Sequence, residues 1–281
     1  MKGVLMGKNQ TNMKKNLTYR TIDGKDLLLS FLPPLQEKYK KAPVYFLIPG
    51  GGWHSADRQS MIDFSKKSVA ALREDGFAVV AVEYRPVGEK YKICDVIEDC
   101  FDALGYLAEH SEDLQIDTRR IITSGHSAGA HLALMLAYAD GNLFTQRYDF
   151  RKIPVKIRAV AALSPATVLH EDGYPKTISF GTDHLFSDPE DLSERKKASP
   201  IEYVNSDCPP TVLFAGTADP VIYCESSKIL YKKLIAADAK AELVLSENAG
   251  HVFEKLSEKE PSIPLDDIQT ILTDFVREQM K

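Results

Sequence analysis

The chain has 281 residues, 44% of them hydrophobic, which is enough for a sizeable core and too many for a disordered chain. Its formal net charge is −5 with both signs interspersed, which argues against nucleic acid as a partner and leaves no basic patch for a membrane surface. No apolar run approaches the length of a membrane span, so no membrane association is expected.

Residues up to about Asn16 are polar, and fraying is expected there. Lys2 precedes only Val4-Leu5-Met6, too short an apolar patch for a secretory leader. Cys94, Cys100, Cys208 and Cys224 form no C-x-x-C pair, so free thiols in a reducing, cytoplasmic setting are expected. Leu17 to Ile22, the Asp23-Gly24 turn and Leu27 to Phe31 read as an antiparallel hairpin, closed by Pro33-Pro34. Pro43 to Ile48 is a continuous apolar strand, the pattern of a sheet covered on both faces. It runs into Pro49-Gly50-Gly51-Gly52-Trp53-His54. Neither a P-loop lysine nor G-x-G-x-x-G spacing accompanies these glycines. The remaining reading with chemistry is a loop whose backbone N–H groups stabilise a developing oxyanion.

Met61 to Asp75 has helical spacing and stops at Gly76. Phe77 to Val82 is a buried strand, Tyr84-Arg85-Pro86 a loop, and Cys94 to His110 an amphipathic helix. Arg120 to Thr123 is a short β-branched strand, and Ala130 to Tyr138 is rich in Ala and Leu, a good helix former. Between them lies Gly125-His126-Ser127-Ala128-Gly129, a G-x-S-x-G pattern at a strand-to-helix turn. A helix N-terminus there aims N–H groups and a positive dipole end at whatever the serine attacks. Ile157 to Leu163 is the next strand. Residues 166–210 then lose all long periodicity, and read as an irregular cap that shapes a pocket. Thr211 to Ala215 and Ala241 to Leu245 are strands, while Ser226 to Ala237 and Ile268 to Met280 are helices. Such alternation implies an α/β fold of one domain over residues 1–281, its sheet mostly parallel with helices on both faces.

Ser127, Asp219 and His251 each follow a strand end, where the sites of open α/β sheets form. A serine hydroxyl needs a neutral imidazole to take its proton, and that imidazole needs a carboxylate to hold its tautomer. Among the other histidines, His126 adjoins the nucleophile, His131 lies on the following helix, and His54, His110, His170 and His184 sit in loops or at helix ends. Asp183 and Asp188, the rival acids, lie in the irregular segment. No H-E-x-x-H or equivalent spacing suggests a metal, and no cofactor is expected.

At these residues the chain resembles the α/β-hydrolase superfamily, and within it the esterase/lipase group related to hormone-sensitive lipase, acetyl xylan esterases and kynurenine formamidases. Gly125 to Leu132 resembles that group's nucleophile box. Pro49-Gly50-Gly51-Gly52-Trp53 resembles its H-G-G-x-W element, with Pro49 where histidine is usual. Tyr84-Arg85 resembles its Y-R element without the Leu-Ala-Pro that normally follows. Ala198 to Val204 resembles a stretch found in esterases of acetylated sugars. The resemblance implies oxyanion donors at the amides of Gly51, Gly52 and Ala128, the last also placed there by its position after the serine. Trp53 and Tyr84 are the candidates for substrate contact. The implied activity is hydrolysis of small esters, acetyl groups on sugars among them, through an acyl-enzyme. The alternatives are a formamidase using the same residues and a catalytically silent binding protein. Folds of this kind often pair through an edge strand or the C-terminal helix, so a homodimer is one expectation of the resemblance.

Overall fold

The computed structural model describes residues 14–280. The Lys2 and Val4-Leu5-Met6 stretch lies outside them. Lys15 and Asn16 are not frayed: they pair with Phe31 and Ser30 in the first hairpin. That hairpin consists of β1 (Lys15–Ile22) and β2 (Lys25–Leu32), turning at Asp23 and Gly24, both with positive φ. The elements that follow are β3 (Ala42–Ile48), α1 (Arg58–Phe64), α2 (Lys66–Glu74), β4 (Ala78–Val82), α3 (Ile93–Glu109), β5 (Ile116–His126) and α4 (Ala128–Tyr138). Then come β6 (Ile157–Leu163), α5 (Leu192–Lys197), β7 (Thr211–Gly216), α6 (Glu225–Ala236), β8 (Ala241–Ser246) and α7 (Leu265–Glu278).

The strands form one 8-stranded sheet in the order β1-β2-β4-β3-β5-β6-β7-β8. Only the two pairings made by β2 are antiparallel; β4 through β8 run parallel. Parallel neighbours demand crossovers, and the helices supply them on both faces. The apolar runs divide by strand alternation. In β3, Val44, Phe46 and Ile48 face the core shared with α3, α4 and α6. Tyr45 and Leu47 face the core shared with α1, α2 and α7. A continuous apolar run is therefore the correct pattern for a strand buried on both sides.

The sequence predicts one helix over 61–75, but the structure has two, broken at Ser65. Gln269 of α7 explains the break. Its Oε1 accepts the amides of Lys67 and Ser68 at 2.9 and 3.1 Å, and its Nε2 donates to the Phe64 carbonyl at 2.9 Å. One buried carboxamide thus caps both helix ends at the break. Residues 166–210 contain α5, short 3₁₀ turns at 183–185 and 200–203, and a bridge from Ile178 to Ile222 beside the Asp219 turn.

A buried ion cluster anchors the loop after β4. The Asp99 carboxylate accepts the Arg85 amide at 2.9 Å and Nε at 2.8 Å, and Arg20 reaches it at 3.2 Å. Burial still pushes the Asp99 carboxyl up to about 6.

Candidate active site

The strand order places a topological switch between β3 and β5, because β4 lies on one side of β3 and β5 on the other. Ile48 pairs with Gly125, His126 with Leu163, Leu163 with Phe214, and Gly216 with Ser246. The carboxyl ends of β3, β5, β6, β7 and β8 therefore lie along one edge, and the loops that follow them meet there.

Ser127 sits between β5 and α4 with φ 57° and ψ −122°, a conformation that L residues rarely adopt. Its amide donates to the Leu163 carbonyl at 2.8 Å. The residue is only 8% exposed. Gly50 packs directly on this turn: a Cβ there would lie 2.7 Å from the His126 carbonyl oxygen and 3.4 Å from the Ser127 Cβ. The glycine loop and the serine are thus in contact. Gly51 and Gly52 both have positive φ, at 111° and 61°. Among the described residues, the amides of Gly51, Gly52 and Ala128 donate no bond to the rest of the backbone. Ala128 opens α4, where first-turn N–H groups lack helical partners.

The loops after β7 and β8 interlock. A Cβ on Gly216 would lie 2.3 Å from the Ala249 carbonyl oxygen, so only glycine lets the two backbones approach. The Ala218 amide donates to that same carbonyl at 3.0 Å. His251 Nδ1 donates to Asp219 Oδ2 at 2.7 Å. Asp219 Oδ1 accepts the amides of Val221 and Ile222 at 2.8 and 3.0 Å. Both carboxylate oxygens are thus occupied by donors. The bond from Nδ1 leaves His251 Nε2 as the free, basic nitrogen. No hydrogen bond joins Ser127 Oγ to His251 Nε2 among the described residues; such contacts often tighten only around the substrate.

Two further side chains hold the loop after β8. His126 Nε2 donates to the His251 carbonyl at 2.9 Å, and the Ser164 hydroxyl donates to it at 3.0 Å. The His126 ring packs between Phe64 (4.9 Å between centroids) and His251 (4.7 Å). Burial, reinforced by His251, pushes its pKa down to about 4, so it stays neutral. Neither side chain is given a role by the sequence pattern; the available signal is their position at strand ends, His126 as the last residue of β5 and Ser164 directly after β6.

Trp53 and Tyr84, expected from the sequence to face the substrate, lie behind the glycine loop instead, each 1% exposed. The Tyr84 hydroxyl sits among the carbonyl oxygens of Ser55 (2.8 Å), Pro49 (2.9 Å) and Gly50 (3.3 Å) and donates its one proton into that ring. The Val87 amide donates to the Trp53 carbonyl at 2.8 Å. The loop after β4 is therefore the bracket of the glycine loop, and Arg85 with Asp99 anchors it. Tyr84→Phe is expected to lower kcat roughly tenfold with KM little changed, since misplaced donors cost the transition state more than the ground state. Steady-state kinetics at a temperature where the variant is folded checks this.

His131, fully buried on α4, has its pKa pushed down to about 4 by burial. The unfolded chain therefore binds a proton that the fold refuses between about 4 and about 6.5. This group's stability contribution is full above that window and falls with pH through it, by up to ~1.4 kcal/mol per pH unit. His126 acts in the same sense and Asp99 in the opposite sense. His131→Gln isolates the effect: denaturant titrations across the window should show the slope change by one proton.

A cavity of about 410 Å³ lies within residues 168–195, lined in part by Leu169, Ile178, Phe180 and Arg195. None of its walls comes from Ser127, Asp219 or His251. Among the described residues, no group of three or more His, Cys, Asp or Glu is placed to hold a metal. No helix among them is long and apolar enough to cross a membrane.

This fold, with a strained serine between β5 and α4 and a carboxylate-bound histidine in the loop after β8, is that of an α/β-hydrolase of the esterase/lipase group. The chain matches the BD-FAE family over residues 30–234 and belongs to it. It is 25% identical over 236 residues to an esterase of Gibberella moniliformis, covering 76% of this chain and 68% of that protein. It is 28% identical over 228 residues to esterase LipQ of Mycobacterium tuberculosis, covering 76% of this chain and about half, 51%, of LipQ. Among solved structures it is similar to Thermogutta terrifontis esterase 2 with propionate bound, at 24% identity and a TM-score of 0.77, covering 96% of this chain and 95% of that one. The same esterase phosphorylated by paraoxon gives a TM-score of 0.75 at 22% identity, covering 94% of each chain.

Proposed function

We propose that the chain is a serine carboxylic ester hydrolase acting through an acyl-enzyme. The observation that carries this is the 2.7 Å bond from His251 Nδ1 to Asp219, which leaves a basic Nε2 on the edge where Ser127 is held in a strained turn. The Ser127 hydroxyl attacks the ester carbonyl as its proton passes to His251 Nε2. The amides of Gly51, Gly52 and Ala128 receive the oxyanion. Collapse returns the proton to the departing alcohol. Water, deprotonated by the same imidazole, then attacks the acyl-enzyme, and Ser127 leaves with the proton as the acid is released.

A small acyl group, such as acetyl on a sugar, is the finer reading. The likeness of Ala198 to Val204 to esterases of acetylated sugars supports it, as does the propionate bound by the Thermogutta terrifontis esterase. Residues 166–210 act as the cap of this one domain. Free thiols at all four cysteines suit a reducing cytoplasm. The half-exposed edge strand β8 offers a second copy a place to pair.

A serine-directed organophosphonate, followed by peptide mapping, tests the mechanism. The adduct is expected on Ser127 together with loss of p-nitrophenyl acetate hydrolysis. An adduct elsewhere, with that activity lost, sinks the reading.

A further inference from the structure

Among the buried polar groups left unused by this chemistry is His131. It lies one turn beyond Ser127 on α4, its amide bonded to the Ser127 carbonyl at 3.0 Å. Its ring is engaged on both sides. Trp53 Nε1–H donates to Nδ1 at 3.1 Å, with the indole edge-on to the imidazole at 5.3 Å between centroids. An indole nitrogen can only donate, so Nδ1 is the acceptor and the ring proton sits on Nε2. From there it donates to the Ala198 carbonyl at 2.7 Å. Ala198 directly follows α5 as its C-cap, and the next residue is well held. Ser199 Oγ accepts the Leu169 amide at 2.9 Å and donates to the Arg195 carbonyl at 2.8 Å. A single imidazole tautomer therefore joins the cap to the residue that directly follows Gly51 and Gly52.

Trp53 itself has φ 63°, so three consecutive residues of the glycine loop are left-handed. For a bulky side chain this backbone persists only where the surroundings over-determine it. The indole is the handle by which they do so, since its one polar atom is spent on His131 and its ring is buried. Releasing the indole frees the run that carries two of the three oxyanion amides.

We infer that His131 is a positioning residue for the oxyanion loop, locking Trp53, and through it the Gly51 and Gly52 amides, to the Ala198 carbonyl of the cap. This rests on the ester-hydrolase reading of Ser127 and the glycine loop. Protonating the ring would turn the Trp53 acceptor into a donor, and burial keeps that from happening above about pH 4.

Trp53 is the chain's only tryptophan, so one indole N–H resonance reports the contact in the unaltered protein. That resonance is expected to exchange slowly with solvent and to shift when Ser127 is phosphonylated. Glutamine at 131 reaches the Nε2 position and asparagine the Nδ1 position, which separates the two arms. His131→Gln keeps the Ala198 bond and loses the acceptor for Trp53. It is expected to slow phosphonylation about 10- to 100-fold without raising KM for p-nitrophenyl acetate. His131→Asn keeps the acceptor for Trp53 but loses the Ala198 bond, so it is expected to recover only part of that loss. Trp53→Phe should be as slow as His131→Gln, and the double variant no slower than either. Wild-type labelling rates in His131→Gln, additive losses in the double variant, or an indole resonance unmoved by the adduct would each overturn the inference. The last measurement needs no variant and so holds even if the substitutions fail to fold. An adduct away from Ser127 is a different failure, that of the hydrolase reading; an adduct on Ser127 with a silent indole removes only the role of His131.

Discussion

Ser127→Ala is expected to lower kcat for p-nitrophenyl acetate by about 10⁴–10⁶-fold while the protein stays folded. The hydroxyl is the group that would become covalently bound to the acyl unit, and no neighbouring side chain can replace it. Gly125 and Gly129 offer none, and His126 donates its Nε2–H to the His251 carbonyl. The residual rate should come from the amides of Gly51, Gly52 and Ala128, which survive the substitution. His251→Ala should cost about as much, and the double variant little more, because nucleophile and base act as one unit. Asp219→Asn should cost ~10³–10⁴-fold, since an amide nitrogen facing Nδ1 selects the wrong tautomer. Single-turnover kinetics with an active-site titrant checks all of these. Additive losses would mean that Ser127 and His251 do not work together.

Gly129→Ala is expected to destabilise the fold by ~3 kcal/mol or more, which is roughly 6–12 °C in Tm. The added Cβ would lie 2.0 Å from the Ile48 carbonyl oxygen and 2.6 Å from that of Pro49. Both are backbone atoms at the carboxyl end of β3, Pro49 being the residue that follows the strand, so neither can swing aside as a side-chain tip would. α4 would have to withdraw from β3, carrying Ser127 away from Gly50. Activity should therefore fall further than stability alone explains. Gly181→Ala is the control, because a Cβ there meets nothing within 4 Å; its effect should stay within about 0.5 kcal/mol. Denaturant unfolding of the two variants decides it, and equal stabilities would show that the helix is free to shift.

The strand-helix alternation was legible because periodicity is a local property. Each apolar run or amphipathic stretch carries its own burial pattern, whatever the rest of the chain does. The same holds for the elbow and the turns after β7 and β8, where glycines and small residues announce tight approaches. The break at Ser65 was not legible, because the group that satisfies it, Gln269, lies 201 residues from Ser68. Nor was the placing of Trp53 and Tyr84. An aromatic beside a glycine loop reads equally as a substrate wall or as a brace, and only the carbonyls around the Tyr84 hydroxyl and the imidazole beside the Trp53 indole choose between them.

The order of residues along the chain thus set which types of side chain follow which strand ends, and from that the class of fold and the candidates for chemistry. The meeting of Asp219 with His251 and the packing of Gly50 on the serine turn came from strand order and register. So did the engagement of His131 on both sides. These are contacts between segments far apart in the chain, and a hydrogen bond between such segments leaves no periodic trace in either of them.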